Sequence, residues 1–169
     1  ISSLVLAPVA IAAAYFGGLV FLVFWAVAAV GVLWEWDTLV CGRDRNRVLF
    51  VGVAALLAGG ASMYFGWLTG AVAIVALGIG AVAIVAPKDR RGWCASGALY
   101  AAALLMAPVL LRGDMTHGFA AIIFLFVIVW LTDSVAYFTG RALGGPKLMA
   151  QVSPNKTWSG AIGGTIAAV

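Results

Sequence analysis

"VLFVGVAALLAGGASMYFGWLTGAVAIVALGIGAVAIVAP", residues 48–87, contains no charged side chain. A membrane-spanning helix needs about 20 consecutive apolar residues, so this stretch is long enough for two spans joined by a turn. Its apolar residues do not alternate with polar ones, as the strands of a membrane barrel would require. The stretch therefore predicts two membrane-spanning α-helices.

The rest of the chain has the same character. Residues 1–34 and 92–111 are also free of charge, and residues 115–132 carry only His117. The whole chain is 64% hydrophobic and 9% charged, whereas soluble domains are about 25% charged. We therefore expect an all-α, polytopic membrane helix bundle and exclude a soluble globular protein.

The breaks between apolar runs predict about seven transmembrane helices in a single integral membrane domain, 1–169. We divide that domain into N-terminal helices, 1–64, and central helices, 65–169, with a polar loop at 141–157. An alternative for residues 1–34 is one long tilted span. The predicted helices are 4–16, 19–36, 48–64, 67–86, 93–111, 119–140 and a seventh that begins at Pro154.

The basic residues predict the orientation of the bundle. Nine of the ten Lys and Arg residues fall in three loops, and Arg112 alone lies elsewhere. Because cytoplasmic loops carry an excess of Lys and Arg, this distribution predicts a cytoplasmic N-terminus. The nine residues are Arg43, Arg45, Arg47, Lys88, Arg90, Arg91, Arg141, Lys147 and Lys156.

Three further expectations come from the termini, the cysteines and the charge. The chain begins without Met and stops inside an apolar run at Val169, so we expect a fragment at both ends. Cys41 and Cys94 are predicted to be reduced thiols near cytoplasmic loops, with no disulfide. The net charge of +4 reflects the basic loops, so we expect no nucleic-acid partner.

Glycine pairs indicate close helix packing. Gly160 and Gly164 lie four residues apart in the predicted seventh helix, and Gly66 and Gly70 repeat that spacing. Small residues at this spacing let two membrane helices approach closely. We therefore expect the seventh helix to pack tightly against a neighbour.

Asp133 is the unusual residue of the predicted sixth helix. An Asp near the centre of a membrane helix costs about 2.5–3.5 kcal/mol on insertion scales and usually faces a bundle interior or a wet cavity. Ala136, Tyr137, Gly140 and Arg141 follow it at helical spacing, so they share its face. The stripe predicts a functional acid beside a cation. The alternative is an Asp that makes only an interhelical hydrogen bond or a buried ion pair.

Residues 153–157 predict the start of the seventh helix, with Ser153 as N-cap and Pro154 as the first helical residue. Lys156 would then fall in the first turn, where the helix dipole disfavours a cation unless an anion is bound. Free N–H groups at a helix N-terminus bind phosphate, and a lysine adds a point charge. Lys147, beyond the Gly144-Gly145-Pro146 turn, would be a second phosphate-binding cation. The alternative is that both lysines are solvated residues of a basic loop.

A carboxylate beside phosphate-binding groups also indicates a metal. Mg²⁺ is typically held by one or two carboxylates and by substrate phosphates. The residues alone therefore predict phosphoryl or nucleotidyl transfer on a lipid headgroup, with Mg²⁺ as cofactor.

At these residues the chain resembles a known family. "DSVAYFTGR", residues 133–141, and "GGPKLMAQVSPNKTWSGAIGG", residues 144–164, resemble the phosphatidate cytidylyltransferases, or CDP-diacylglycerol synthases. Their pattern is Asp-x-x-Ala-Tyr-x-x-Gly-Arg, then Ser-Pro-x-Lys-Thr-Trp-Glu-Gly. Glu35-Trp36 is similar to the Glu-Trp that ends an early helix in that family. Ser159 stands where the family usually has Glu, and the family's C-terminal signature, with further catalytic acids, is absent from this chain.

The resemblance implies transfer of CMP from CTP to phosphatidic acid, which gives CDP-diacylglycerol and pyrophosphate, with Mg²⁺. It places the protein among the lipids of a bacterial inner membrane, with the active-site loop on the cytoplasmic side. Asp133 would be a catalytic residue and the metal ligand, and Lys156 a catalytic cation. The implied substrate-binding residues are Tyr137, Arg141, Lys147, Ser153, Asn155 and Thr157.

Further expectations and alternatives accompany this reading. A homodimer is expected, and a fragment without the C-terminal acids could be inactive by itself. A CTP-dependent lipid-alcohol kinase acting on a polyprenol or phytol is one alternative function. A transporter or scaffold, with Asp133 as an ion relay, is the other.

Overall fold

Helix boundaries follow the breaks in the sequence. The computed structural model describes residues 2–149, 151 and 153–169, and within them it contains seven α-helices and one two-stranded hairpin. Five helices, α2–α6, are long and apolar enough to cross a membrane, and α1 and α7 are shorter. The expected all-α membrane bundle is thus confirmed. The elements are α1 Ser2–Phe16, α2 Gly18–Val40, α3 Arg45–Tyr64, α4 Leu68–Val85, α5 Arg91–Arg112, α6 Gly118–Leu143, β1 Lys147–Met149, β2 Ser153–Thr157 and α7 Trp158–Ala167.

A glycine break separates α1 from α2. Gly17 and Gly18 have φ angles of 62° and 48°, in the left-handed region that only glycine adopts without a steric cost. The alternative of one long tilted span over residues 1–34 is therefore wrong. A Cβ atom at Gly17 would lie 2.9 Å from Nη2 of Arg112, so the break also makes room for that guanidinium.

The helices form two compact units, Ile1–Phe119 and Ala120–Val169. In the first unit, α2 and α4 each pack against both α3 and α5, and α1 packs against α2. The core between them contains Leu33, Leu56 and Leu105, all nearly inaccessible. The predicted single domain with a boundary at residue 64 stays a prediction.

The end of α2 is tied to the start of α5 by two hydrogen bonds. Trp36 Nε1 donates to the carbonyl oxygen of Trp93 at 2.9 Å. Arg90 Nη1 donates to the carbonyl oxygen of Val40 at 2.7 Å. Both bonds join side chains to backbone groups at least 50 positions away in sequence, so they fix the relative position of the two helix ends.

The same contact contains a disulfide. The structure pairs Cys41 with Cys94, with a Cα–Cα distance of 6.2 Å, inside the range that disulfides require. The expectation of two reduced thiols is therefore wrong. Both residues are fully buried where α2 meets α5, and this proximity has no signature in the local sequence around either cysteine.

In the second unit, a hairpin replaces the predicted start of the seventh helix. β1 pairs antiparallel with β2, with Lys147 opposite Thr157 and Met149 opposite Ser153. The predicted helix start at Pro154 is therefore wrong, and two segments of the predicted polar loop 141–157 are strands. Residues 150 and 152 lie outside the described residues. A proline restricts the preceding residue to extended conformations, so Ser153 enters a strand more readily than a helix.

Candidate functional site

Helices α6 and α7 are in close backbone contact. A Cβ atom at Gly160 would lie 2.7 Å from the carbonyl oxygen of Ala136, and one at Gly164 would lie 3.0 Å from that of Thr132. A Cβ atom at Gly140 would lie 2.9 Å from Oγ1 of Thr157. The tight packing predicted from the spacing of Gly160 and Gly164 is confirmed, since only glycine allows this approach.

The corresponding expectation is wrong for Gly66, whereas a Cβ atom at Gly70 would lie 3.1 Å from Oγ of Ser62 in α3. Gly66 has a φ angle of 78° and lies in the turn between α3 and α4, with open space where a Cβ atom would be. The spacing rule identified the right residue type, but a left-handed turn, and not a helix crossing, requires this glycine.

The connection between α6 and α7 is fixed at its two ends. Ser159 Oγ donates to the carbonyl oxygen of Gly144, and the Trp158 N–H donates to that of Pro146 at 3.1 Å. Gly144 and Gly145 have φ angles of 60° and 101°, so the turn needs glycine at both positions. The segment after α6 is thereby held against the first turn of α7.

Thr157 organises the start of α7. Its φ and ψ angles of −116° and 157° are extended, and its Oγ1 accepts the N–H of Gly160 at 3.2 Å. The side chain is buried, and its Oγ1 lies 3.0 Å from Oγ of Ser159. Thr157, and not Ser153, is therefore the N-cap. Its predicted substrate-binding role stays a prediction.

Lys156 consequently lies in β2, before the helix begins. The prediction that it sits in the first turn of the seventh helix, against the helix dipole, is wrong. Ser153 is the predicted N-cap because a proline follows it, and that rule selects the wrong residue. The pairing of β2 with β1 is the contact that decides between Ser153 and Thr157.

Three cationic residues lie beside the residues that form the contact between Thr157 and Gly140. Arg141 follows Gly140 in α6, Lys156 precedes Thr157, and Lys147 is the cross-strand partner of Thr157. All three cationic residues are exposed, and in the described part of the chain none of them is in a salt bridge. Neighbouring like charges repel, so the cluster is suited to an anion with several negative charges.

The predicted stripe on α6 is confirmed for one pair. Arg141 Nη1 donates to Oη of Tyr137 at 2.8 Å, as expected for residues four apart in a helix. Asp133 lies one turn before Tyr137, is exposed, and is the one carboxylate in residues 120–169. Eight residues of helix place it about 12 Å from Arg141 along the axis. Asp133 and Arg141 therefore share a face of α6 but lie at different levels.

The two remaining predicted residues lie in β2. Asn155 is exposed near the middle of the strand, and Ser153 is half-buried at its start, opposite Met149. Ser153 thus occupies the far end of the hairpin from the pair formed by Lys147 and Thr157. The sequence does not predict the bond from Ser159 to the turn. It shows only that Ser159 stands where the family usually has Glu.

The donor set fits a metal that is shared with a ligand. No group of three His, Cys, Asp or Glu residues converges anywhere in the described ranges, so they contain no metal site built from protein groups alone. Mg²⁺, however, is commonly held by one or two carboxylates together with substrate phosphates. Asp133 supplies one carboxylate, and Arg141 of the same helix and the two lysines of the hairpin are suited to the phosphates.

Comparisons with known proteins show the family of the chain. The model of a family described as the cytidylyltransferase family matches residues 1–169. The chain belongs to that family. The resemblance inferred from residues 133–164 is thus confirmed. No solved structure matches the chain.

Similar curated proteins carry a more specific name. A phosphatidate cytidylyltransferase of Brucella abortus biovar 1 (strain 9-941) is 40% identical over 100% of this chain and 63% of its own length. Enzymes of the same name from Haemophilus influenzae and Bacillus subtilis are 50% and 36% identical, over 33% and 48% of this chain. The chain therefore spans about 63% of the length of the Brucella relatives.

Proposed function

We propose that the chain is part of a phosphatidate cytidylyltransferase, which transfers CMP from CTP to phosphatidate and releases pyrophosphate. The proposal depends above all on one observation, the close approach of Gly140 to Thr157, which brings the segments that carry Arg141, Lys147 and Lys156 together. The substrates of this reaction together carry several phosphate charges, which three unpaired cations would bind. The name of the curated relatives supports the same reaction.

The reaction needs charge neutralisation and alignment more than a strong base. The phosphate of phosphatidate is already an anion, and it would attack the α-phosphorus of CTP as pyrophosphate leaves. Arg141 offers a planar fork for a phosphate, and its bond to Tyr137 Oη at 2.8 Å orients that fork. Lys147 and Lys156 add point charges that offset charge on the transferring group and on pyrophosphate. Holding both substrates in one geometry removes much of the entropic barrier.

Asp133 is the proposed ligand of Mg²⁺. When bound, the ion would neutralise phosphate charge and help to align the substrates. Because Asp133 is the one carboxylate in residues 120–169, any further carboxylate ligand would come from outside that segment. We further propose a bacterial inner membrane location with this site on the cytoplasmic side, since nine of ten Lys and Arg residues lie in the loops expected there. The homodimer stays a prediction.

Pyrophosphate release by the full-length protein tests the reaction. With CTP, phosphatidate and Mg²⁺, we expect Asp133→Asn to lower turnover by a factor of about 10² or more, as for loss of a group that stabilises transition-state charge. Lys156→Ala should raise the CTP concentration needed for half-maximal rate. Lys88→Ala is the matched control, because Lys88 is an exposed lysine between α4 and α5. Near-normal turnover of a correctly inserted Asp133→Asn protein would remove the acid from the mechanism.

Two further measurements separate the alternatives. A lipid-alcohol kinase would form CDP from CTP with a polyprenol or phytol, without pyrophosphate. A transporter or scaffold would show no Mg²⁺-dependent protection of Lys147 and Lys156 by CTP against an amine-reactive label. Protection confined to these two lysines, with Lys88 labelled equally in both conditions, is the result expected of the proposed enzyme.

A further inference from the structure

A second candidate site lies entirely in residues 1–119, at one end of the helices. A cavity of about 450 Å³ opens between the first turns of α2 and α4 and the last turns of α3 and α5. Its walls include Phe21, Met63 and Leu110, and among its described lining residues Arg112 is the one with a charge. Tyr64 and Leu110 are about half exposed, so the cavity is open to the surroundings of the unit.

Arg112 is held in place by the chain itself. Its Nε donates to the carbonyl oxygen of Ala14 at 2.7 Å, and its Nη2 donates to that of Tyr15 at 3.3 Å. Its Cζ lies 5.7 Å from the centre of the Phe119 ring, a cation–π distance. These bonds satisfy carbonyls in the last turn of α1. They use two of the five N–H groups of the guanidinium, so three can still donate.

The charge near this end is not compensated by a carboxylate. Within the described residues no acidic group lies in salt-bridge range of Arg112. The nearest acid in sequence, Asp114, instead accepts the N–H groups of Thr116 and His117 at 3.0 and 2.6 Å. An oriented cation with spare donors therefore borders an apolar hollow.

We propose that this cavity binds one phospholipid with an anionic headgroup. Arg112 ends α5 and Gly18 begins α2, so the cavity lies at the end of spanning helices, where the headgroups of a bilayer are found. The phosphate would accept hydrogen bonds from Arg112, which binds such groups through a fork of donors. The glycerol backbone and an acyl chain would fill the space beside Phe21, Met63 and Leu110. This site involves no residue of the proposed transfer reaction.

Native mass spectrometry of the full-length protein tests the site. The probe is an equimolar mixture of phosphatidylglycerol and phosphatidylcholine with identical acyl chains. We expect retention of phosphatidylglycerol about tenfold above phosphatidylcholine, equivalent to ~1.4 kcal/mol. Arg112→Gln, which keeps an amide donor for α1, should equalise the two lipids, and Arg112→Lys should retain the preference.

A second pair of variants tests the cavity without changing the arginine. Leu110→Trp should fill the hollow and reduce retention of both lipids. Leu111→Trp is the matched control, because Leu111 is the exposed neighbour on α5 and does not line the cavity. Equal lipid retention by the two tryptophan variants would overturn the proposal, as would an undiminished preference for phosphatidylglycerol in folded Arg112→Gln. If another copy of the chain or a further protein segment filled the cavity, Leu110→Trp and Leu111→Trp would retain lipid equally.

Discussion

Replacing Thr157 by valine tests how the start of α7 is held. The substitution keeps the shape of the side chain but removes the oxygen that accepts the Gly160 N–H at 3.2 Å. Loss of a Thr N-cap costs about 1 kcal/mol and up to about 2. Because the side chain is buried, water cannot easily replace the lost partner, so a value in the upper half of this range is expected.

Hydrogen exchange measures this cost directly. A change of one to two kcal/mol raises the open fraction of the first turn of α7 by a factor of about 5–30. In the full-length protein, peptides that cover residues 158–163 should therefore exchange faster by that factor in Thr157→Val. Thr157→Ser is the control, since serine caps helices at least as well as threonine. Peptides from α3, in the other compact unit, should exchange at the wild-type rate in both variants.

Two outcomes would refute the reasoning. Unchanged exchange over residues 158–163 in Thr157→Val would show that the cap does not stabilise α7. Equal acceleration in Thr157→Ser would show that the methyl group of Thr157 matters and the hydroxyl does not.

Three other predictions concern packing, covalent linkage and pH. Gly160→Ala should lower the thermal unfolding midpoint, because its Cβ atom would lie 2.7 Å from a backbone oxygen of α6 and such overpacking costs about 1–3 kcal/mol. Gly80→Ala is the control and should not lower the midpoint, since there is open space at its Cβ position. Denatured but unreduced protein should take up no maleimide, whereas Cys94→Ser should take up one; labelling of the unreduced parent would contradict the disulfide. Backbone hydrogen bonds, that of His117 first, hold the pKa of Asp114 below its ordinary value of 3.8. The turn should thus be firmest above pH 3.8 and loosen as pH falls through the lowered pKa, a step measured by hydrogen exchange that Asp114→Asn should abolish.

Much of the fold follows from local rules that leave no competing solution. Charge-free runs of about 20 residues can satisfy their backbone groups in a membrane only as helices or closed barrels, and the runs do not alternate. The bond between Tyr137 and Arg141 follows from helical spacing alone. The contact of α7 with α6 follows from Gly160 and Gly164, because membrane helices approach most closely through small residues.

The features that were missed depend on contacts distant in sequence. A Ser-Pro pair is a good helix start by itself, and only the pairing of Lys147 with Thr157 shows that the strand continues past it. Cys41 and Cys94 are joined because α2 packs against α5, which neither local sequence encodes. The bond from Ser159 to the Gly144 carbonyl likewise depends on a turn whose conformation the local sequence does not specify.

The contacts between α2 and α5 hold one end of this helix pair more firmly than the other. The indole of Trp36, the guanidinium of Arg90 and the disulfide clamp one end of this helix pair, whereas the cavity separates its other end. We therefore expect thermal motion of this helix pair to be smaller at the clamped end and larger at the end that borders the cavity. A thinner bilayer or a bulky lipid would act on this unit mainly by changing the width of the cavity at Arg112. The clamped end would move less.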